Sequence, residues 1–216
     1  MAPQKSQEPA LGIPPVVAAR LRAHREARSM SARALAKEVR CSPSLISQIE
    51  NGKANPSVAT LYAIVSALGI SLDELFADPE PNNGDRAQTQ AQRVEGGMVM
   101  RGNRRPSISL ASGVHWERLT PIADPEVDFL YVTYDVGGAS CPPDALMRHN
   151  GREYGLILAG RLGATVGFDN YELEPGDSIV LPSTTPHRFW TIGDEPTTVV
   201  WTVVGRTGDP RSTFDS

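Results

Sequence analysis

From Val17 to Ala77 the apolar residues recur at helical spacing, and five short segments separate cleanly. In VAARLRAHREAR, Val17 and Leu21 face inward and the arginines outward. Leu35 and Val39 stand at i, i+4 in ARALAKEV. Leu45, Ile46 and Ile49 share one side of PSLISQIE. Leu61, Ile64, Val65 and Leu68 form a stripe along VATLYAIVSAL. Starts and stops are written beside these patterns. Ser31 precedes the second segment, Ser42–Pro43 is an N-cap followed by a first-turn proline, and Pro56–Ser57 opens the fourth. Gly52 and Gly69 follow the third and fourth as helix stops. Ser71–Leu72–Asp73–Glu74 reads as a capping box, with Ile70 stapled onto Leu75.

From about Ser107 the period changes to two. VDFLYVTYDV, YGLILAG, LGATVG, DSIVLP, HRFWTI and TTVVWTVV are strand-like runs set apart by Gly, Pro, Asn and Asp. Helices first and then only strands predict two domains: an all-α domain over 17–77 and an all-β domain over 107–205. DPEPNNGDRAQTQAQ opens a polar linker over 78–106. Residues 1–16 read as a flexible lead and 206–216 as a tail.

Composition adds a globular balance, 40% hydrophobic and 21% charged over 216 residues. The two cysteines, Cys41 and Cys141, are too few and too far apart for a disulfide framework, and Cys141 reads as a surface loop thiol. No apolar run approaches the roughly 18 residues of a membrane span, and the first residues lack a signal-peptide core. A cytoplasmic protein is expected. The net charge of −4 argues against nucleic acid until it is divided. Residues 17–55 hold eight basic and three acidic side chains, a net +5; residues 79–216 hold twelve and eighteen, a net −6. The helical half therefore keeps a nucleic-acid partner open.

Within it, the third helix turns Ser44, Ser47, Gln48 and Asn51 away from the core. A short, polar, uncharged face suits hydrogen bonding to base edges in a major groove, with Arg33 and Lys53 placed for phosphates. ALAKEVRCSPSLISQIENGKANPSVATLYAIVSALGISLDELF resembles the helix-turn-helix domain of the phage-repressor and XRE class. That resemblance implies a five-helix DNA-binding domain whose recognition residues are Ser42, Pro43, Ser44, Ser47 and Gln48. Arg40 stands where the family often has the glycine of the inter-helix turn. Glu50 reads as a structural residue pairing inside the fold. His24 sits among arginines, exposed or near phosphate.

In the β half, His149-x3-Glu153-x6-Gly160 is followed by Gly176-x5-Pro182-x4-His187. Two imidazoles and a carboxylate on one face suit Fe(II) and related divalent ions. The spacing resembles the two signature motifs of the cupin, a double-stranded β-helix barrel. Relative to that family, Met147 replaces the first histidine and Thr191 a common asparagine, so four ligands fall to three. Two readings stay open: a divalent metal (Fe, Zn, Mn or Ni) on His149, Glu153 and His187, or a metal-free effector pocket of Met147, His149, Glu153 and His187. His115 reads as a packed strand residue.

The joint resemblance is to XRE–cupin fusions, including the putrescine-utilisation repressors. It implies a homodimeric transcriptional regulator that binds a double-stranded DNA operator and senses a small-molecule effector, with no membrane partner. The alternative is a cupin metal enzyme resembling the phosphonate-epoxidising iron enzymes, with His149, Glu153 and His187 as a facial triad.

Overall fold

The computed structural model describes residues 13–76, 94–95, 98–122, 124 and 126–205. Five helices come first: α1 (Pro15–Ala27), α2 (Ala32–Glu38), α3 (Pro43–Glu50), α4 (Val58–Leu68) and α5 (Leu72–Phe76). Serine hydroxyls set three of the starts. Those of Ser31, Ser42 and Ser57 accept from the backbone N–H groups of Ala34, Leu45 and Thr60. The side chains of Asp73 and Glu74, on which a capping box would rest, lie outside the described residues. Gly69 closes α4 in the left-handed region, and Arg40 takes the same conformation (φ 56°) in the turn between α2 and α3. A side chain there costs about 1 kcal/mol. The apolar stripes meet in one core: Leu21 of α1, Leu35 of α2, Ile46 and Ile49 of α3, and Leu61, Val65 and Leu68 of α4 are almost fully buried.

A charged pair runs through that core. Arg25 donates from Nε to Glu50 Oε1 (2.6 Å) and from Nη2 to Oε2 (2.8 Å), while Nη1 reaches the carbonyl of Met30 (2.6 Å). The fork fixes α1 against the recognition-helix end of α3.

Within the stretch read as linker, β1 (Val94–Glu95) pairs with β2 (Val99–Met100), and a 3-10 turn follows at Gly102–Arg104. Residues 77–93, 96–97 and 206–216 lie outside the described residues, as do 1–12.

The remaining strands are β3 (Ser107–Leu110), β4 (Val114–Arg118), β5 (Val127–Tyr134), β6 (Arg152–Ala159), β7 (Arg161–Val166), β8 (Asp169–Leu173), β9 (Ser178–Pro182), β10 (His187–Ile192) and β11 (Thr197–Val204). All pairings are antiparallel. One sheet runs β3-β4-β5-β11-β6-β9 and the other β10-β7-β8. Alternation sends Leu130, Val132 and Tyr134 of β5, and Val199, Trp201 and Val203 of β11, into the barrel.

Helix α4 joins the two halves. Its first N–H groups have no partner within a helix. The barrel supplies one: Ala59 N–H donates to the Ser140 carbonyl (3.1 Å). In return Ala111 N–H donates to the Pro56 carbonyl (3.0 Å). Val58 and Tyr62, one turn apart, are buried at this junction. Among the described residues, no helix is long and apolar enough to cross a membrane.

Removing one partner of a buried ion pair leaves the other charge uncompensated, at about 3–5 kcal/mol. Glu50→Ala is expected to lower the unfolding free energy of the helical domain by about 3 kcal/mol in urea denaturation followed by helical circular dichroism. A change under about 1 kcal/mol would show the Arg25 fork to be dispensable.

Candidate ligand pocket and DNA-facing helix

Three side chains converge inside the barrel mouth. Glu153 is the second residue of β6, and strand alternation turns it inward with Gly155 and Ile157. His187 opens β10 and points inward with Phe189 and Thr191. His149 precedes β6, fixed by its N–H donating to the Ser183 carbonyl (3.0 Å). Met147 lies beside His187: each N–H donates to the other's carbonyl at 2.9 Å.

The hydrogen bonds assign the tautomers. His149 Nδ1 faces the Asn150 carbonyl (2.9 Å) and His187 Nδ1 the Thr185 carbonyl (2.8 Å). A carbonyl only accepts, so each ring carries a proton on Nδ1 and turns Nε2 toward the carboxylate. Both Nε2 atoms face one oxygen, Glu153 Oε1, at 3.0 Å and 3.2 Å. The other oxygen, Oε2, accepts from the Trp201 indole N–H at 2.7 Å. His149 Nε2, His187 Nε2 and Glu153 Oε1 thus form a buried trio of polar atoms, none with an aligned hydrogen-bond partner. A cation satisfies all three at once. The donor set, two imidazoles and a carboxylate within 4.8 Å of one another, fits a divalent metal. The two Nδ1–H to carbonyl bonds are the outer contacts that orient metal-binding histidines.

Burial alone would raise the Glu153 carboxyl, but a hydrogen bond from His149, the positive charge that His149 and His187 carry when protonated, and the indole N–H outweigh it and hold the group at about 2. Burial pushes the His187 imidazole below its ordinary 6.5, against the pull of Glu153. The group therefore presents a carboxylate and an unprotonated His187 near neutrality.

The cavity over the trio is small, about 20 Å³. Its walls are largely aromatic: Trp116, Tyr134, Phe189 and Trp201 from the barrel, and Tyr62 with Val58 from α4. The Tyr62 ring stacks on the His149 ring, centroids 4.4 Å apart and planes within 6°. It also meets Trp116 edge-on at 5.3 Å. A Cβ on Gly155 would stand 2.3 Å from the Trp201 ring, so the absent side chain makes room for the indole that holds Glu153.

Met147 is buried on the cavity wall. Thr191 is buried as well, its hydroxyl donating to the Tyr134 carbonyl (3.1 Å) rather than facing the trio. Cys141 corrects the surface reading: it is 2% exposed, and its thiol donates to the Ala145 carbonyl. His115 is half-exposed on β4, between Ser109 Oγ (2.9 Å) and Asp135 Oδ2 (2.7 Å), and stands outside the cavity lining. Tyr62 escaped the sequence reading. The signal was there: with Val58 it adds a second apolar side to a helix already striped by Leu61, Val65 and Leu68, and a helix apolar on two sides is buried on two sides.

In the helical domain, Ser42, Pro43, Ser44, Ser47 and Gln48 are all exposed at the start and along one face of α3, and Arg33 and Lys53 are exposed as well. Ser42 Oγ is engaged in capping. Asn51 turns back to its own helix, donating to the Ser47 carbonyl at 2.6 Å.

Two family models match: a helix-turn-helix over residues 21–75 and a cupin domain over 130–203. The HTH-type transcriptional regulator PuuR of Escherichia coli (strain K12) is 28% identical over 178 residues, covering 79% of this chain and 84% of that protein. A helix-turn-helix family transcriptional regulator from Vibrio cholerae has the same fold, with a TM-score of 0.60 at 22% identity over 88% of this chain and 94% of its own. Hydroxypropylphosphonic acid epoxidase from S. wedmorenis aligns more loosely, at a TM-score of 0.43 and 20% identity over 90% and 99%.

Acid is expected to act on the trio in one direction. His187, lowered from 6.5, stays neutral in the fold while the unfolded chain takes up a proton. Stability therefore falls as pH drops below about 6.5. Glu153, lowered from 4.5 to about 2, adds a further loss as pH falls through that interval. Urea midpoints at pH 7.5, 6.0 and 5.0 should decline in that order. Cobalt(II) affinity, read from visible absorption, should weaken over the same steps. A midpoint that rises toward pH 5 contradicts the assignment.

Proposed function

The chain belongs to the XRE-type helix-turn-helix transcriptional regulators with a C-terminal cupin domain, and from that premise we propose an effector-controlled repressor or activator that works as a homodimer on a two-fold operator. The observation that carries this reading is the shared wall. Glu153 and His187 of the buried group line a cavity closed by a helix of the DNA-binding domain, through Val58 and Tyr62, the latter stacked on His149. A pocket so built reports its contents to the part of the chain that holds DNA.

At the DNA end, α3 enters the major groove. Ser44, Ser47 and Gln48 read base edges, with Ser42 and Pro43 at the helix start against the duplex. Arg33 and Lys53 neutralise phosphates on either side. At the sensor end, His149, Glu153 and His187 hold a divalent metal, of the Fe, Zn, Mn or Ni class, or contact the effector themselves, with Met147 on the wall. A bound metal would supply a Lewis-acidic position for an oxygen or nitrogen of the effector. An iron enzyme built on the same trio needs cationic side chains facing an anionic substrate. Arg148 is exposed, and among the described residues neither it nor Arg152 lines the cavity.

Two half-sites about one helical turn apart require two copies of α3 held in register. The outer face of the larger sheet suits that pairing. Phe129, Thr202, Tyr154 and Val180 form one cross-strand row, and Tyr131, Val200, Leu156 and Ser178 the next. The rows are uncharged, and Tyr154, Leu156 and Val180 are 42–51% exposed. A second copy laid on this face buries them and leaves both recognition helices outside.

Ser44→Ala with Gln48→Ala is expected to weaken binding to a selected operator by about 10- to 100-fold while leaving salt-dependent binding to random DNA unchanged. Mobility shifts at two salt concentrations separate the cases, and unchanged operator affinity would sink the recognition-face assignment. Leu156→Arg should convert a dimer to a monomer in sedimentation velocity without loss of strand signal. A variant that stays dimeric places the two-fold axis elsewhere.

A further inference from the structure

Resting on the sensor reading above, we infer that Tyr62 is a positioning residue of the ligand site itself: it holds the His149 ring, and through that stack an occupant of the trio fastens α4 to the barrel. Tyr62 belongs to the DNA-binding domain in sequence and to the pocket in space. Its ring covers one whole face of His149, parallel and 4.4 Å away, and leaves the Nε2 edge turned to Glu153. The other contacts of His149 are its N–H on Ser183, its Nδ1 on Asn150, its Nε2 on Glu153 and an edge-on meeting with the His187 ring at 5.4 Å, none of which covers the ring face. His187, by contrast, is set within a strand pair and needs no such support.

The sign of the coupling follows from charge. A cation on Nε2 draws electron density from the imidazole. An electron-poor ring stacks more strongly on the electron-rich phenol of Tyr62. Occupation therefore tightens the α4–barrel contact, and by reciprocity a docked α4 tightens occupation. Because α4 also packs Leu61, Val65 and Leu68 into the same core as Ile46 and Ile49 of α3, fastening α4 fixes the recognition helix relative to the barrel.

The junction carries its own reporters. Ala59 lies in the first turn of α4, where its N–H has no partner inside the helix and depends on Ser140; the Ala111 N–H depends on Pro56. Both bonds break if α4 leaves the barrel, so both amides exchange faster with solvent.

The test uses the full chain and cobalt(II) as the probe, with occupancy followed by visible absorption and the two amides by hydrogen exchange. In the unaltered protein and in Tyr62→Phe, which keeps the ring, cobalt(II) should slow exchange at Ala59 and Ala111. Tyr62→Ala should bind cobalt(II) about three- to tenfold more weakly and show no added protection at saturation. Circular dichroism and the unfolding midpoint of each variant establish that it is folded. If Tyr62→Ala fails to fold, Tyr62→Leu takes its place with the same expectation, since it fills the space without a π face. Cobalt(II) binding with unchanged exchange in the unaltered protein, or equal protection in the ring-less variant, overturns the inference and leaves the sensor reading standing. Failure of cobalt(II) to bind the unaltered protein overturns the inference together with the metal reading on which it rests.

Discussion

Glu153 is an ionised carboxylate taken out of water, and burying such a charge costs several kcal/mol unless its neighbours compensate. One oxygen has the Trp201 N–H; the other faces the Nε2 atoms of two imidazoles. Much of the barrel mouth can be understood from that requirement. The strand pairing of Met147 with His187 and the Ser183 anchor of His149 hold the imidazoles in place. Gly155 leaves the space in which the indole stands. The aromatic walls keep the surroundings at low dielectric, where an attraction to a cation is strongest and an unmet acceptor most expensive.

The helical domain was the more legible half, and the reason is local. Serine caps, a proline in a first turn and a glycine stop each act within four residues, so Ser31, Ser42, Ser57 and Gly69 announce their elements directly. The exposed face of α3 follows from the same periodicity that buries Ile46 and Ile49. Glu50 could be read as structural, but its partner Arg25 lies on another helix, and no spacing rule points to it. In the barrel the trio was legible from the spacing of His149, Glu153 and His187 and its resemblance to the cupin motifs, and strand alternation places Glu153 and His187 inward.

What the sequence concealed depends on contacts across the junction. Tyr62 reads as one more apolar residue in a helix already supplied with them, and only the fold brings it onto His149. Trp201, 48 positions beyond Glu153, is indistinguishable in sequence from a filler of the core until its indole is seen on Oε2. Cys141 looked like a surface residue because it lies between a serine and two prolines; its burial comes from the loop folding back so that Ala145 accepts from the thiol.

The amides at the start of α4 bear on how such chains can be assembled. In many two-part regulators the halves are treated as interchangeable beads on a string. Here the open end of a helix in one half is closed by a carbonyl from the other, and Val58 and Tyr62 are apolar because a barrel mouth lies over them. Grafting this helical half onto a foreign barrel would expose that corner unless the first turn of α4 and the loops around Ala111 and Ser140 were carried along. The boundary that matters for recombination therefore runs through the first turn of a helix and not through the polar stretch between the halves.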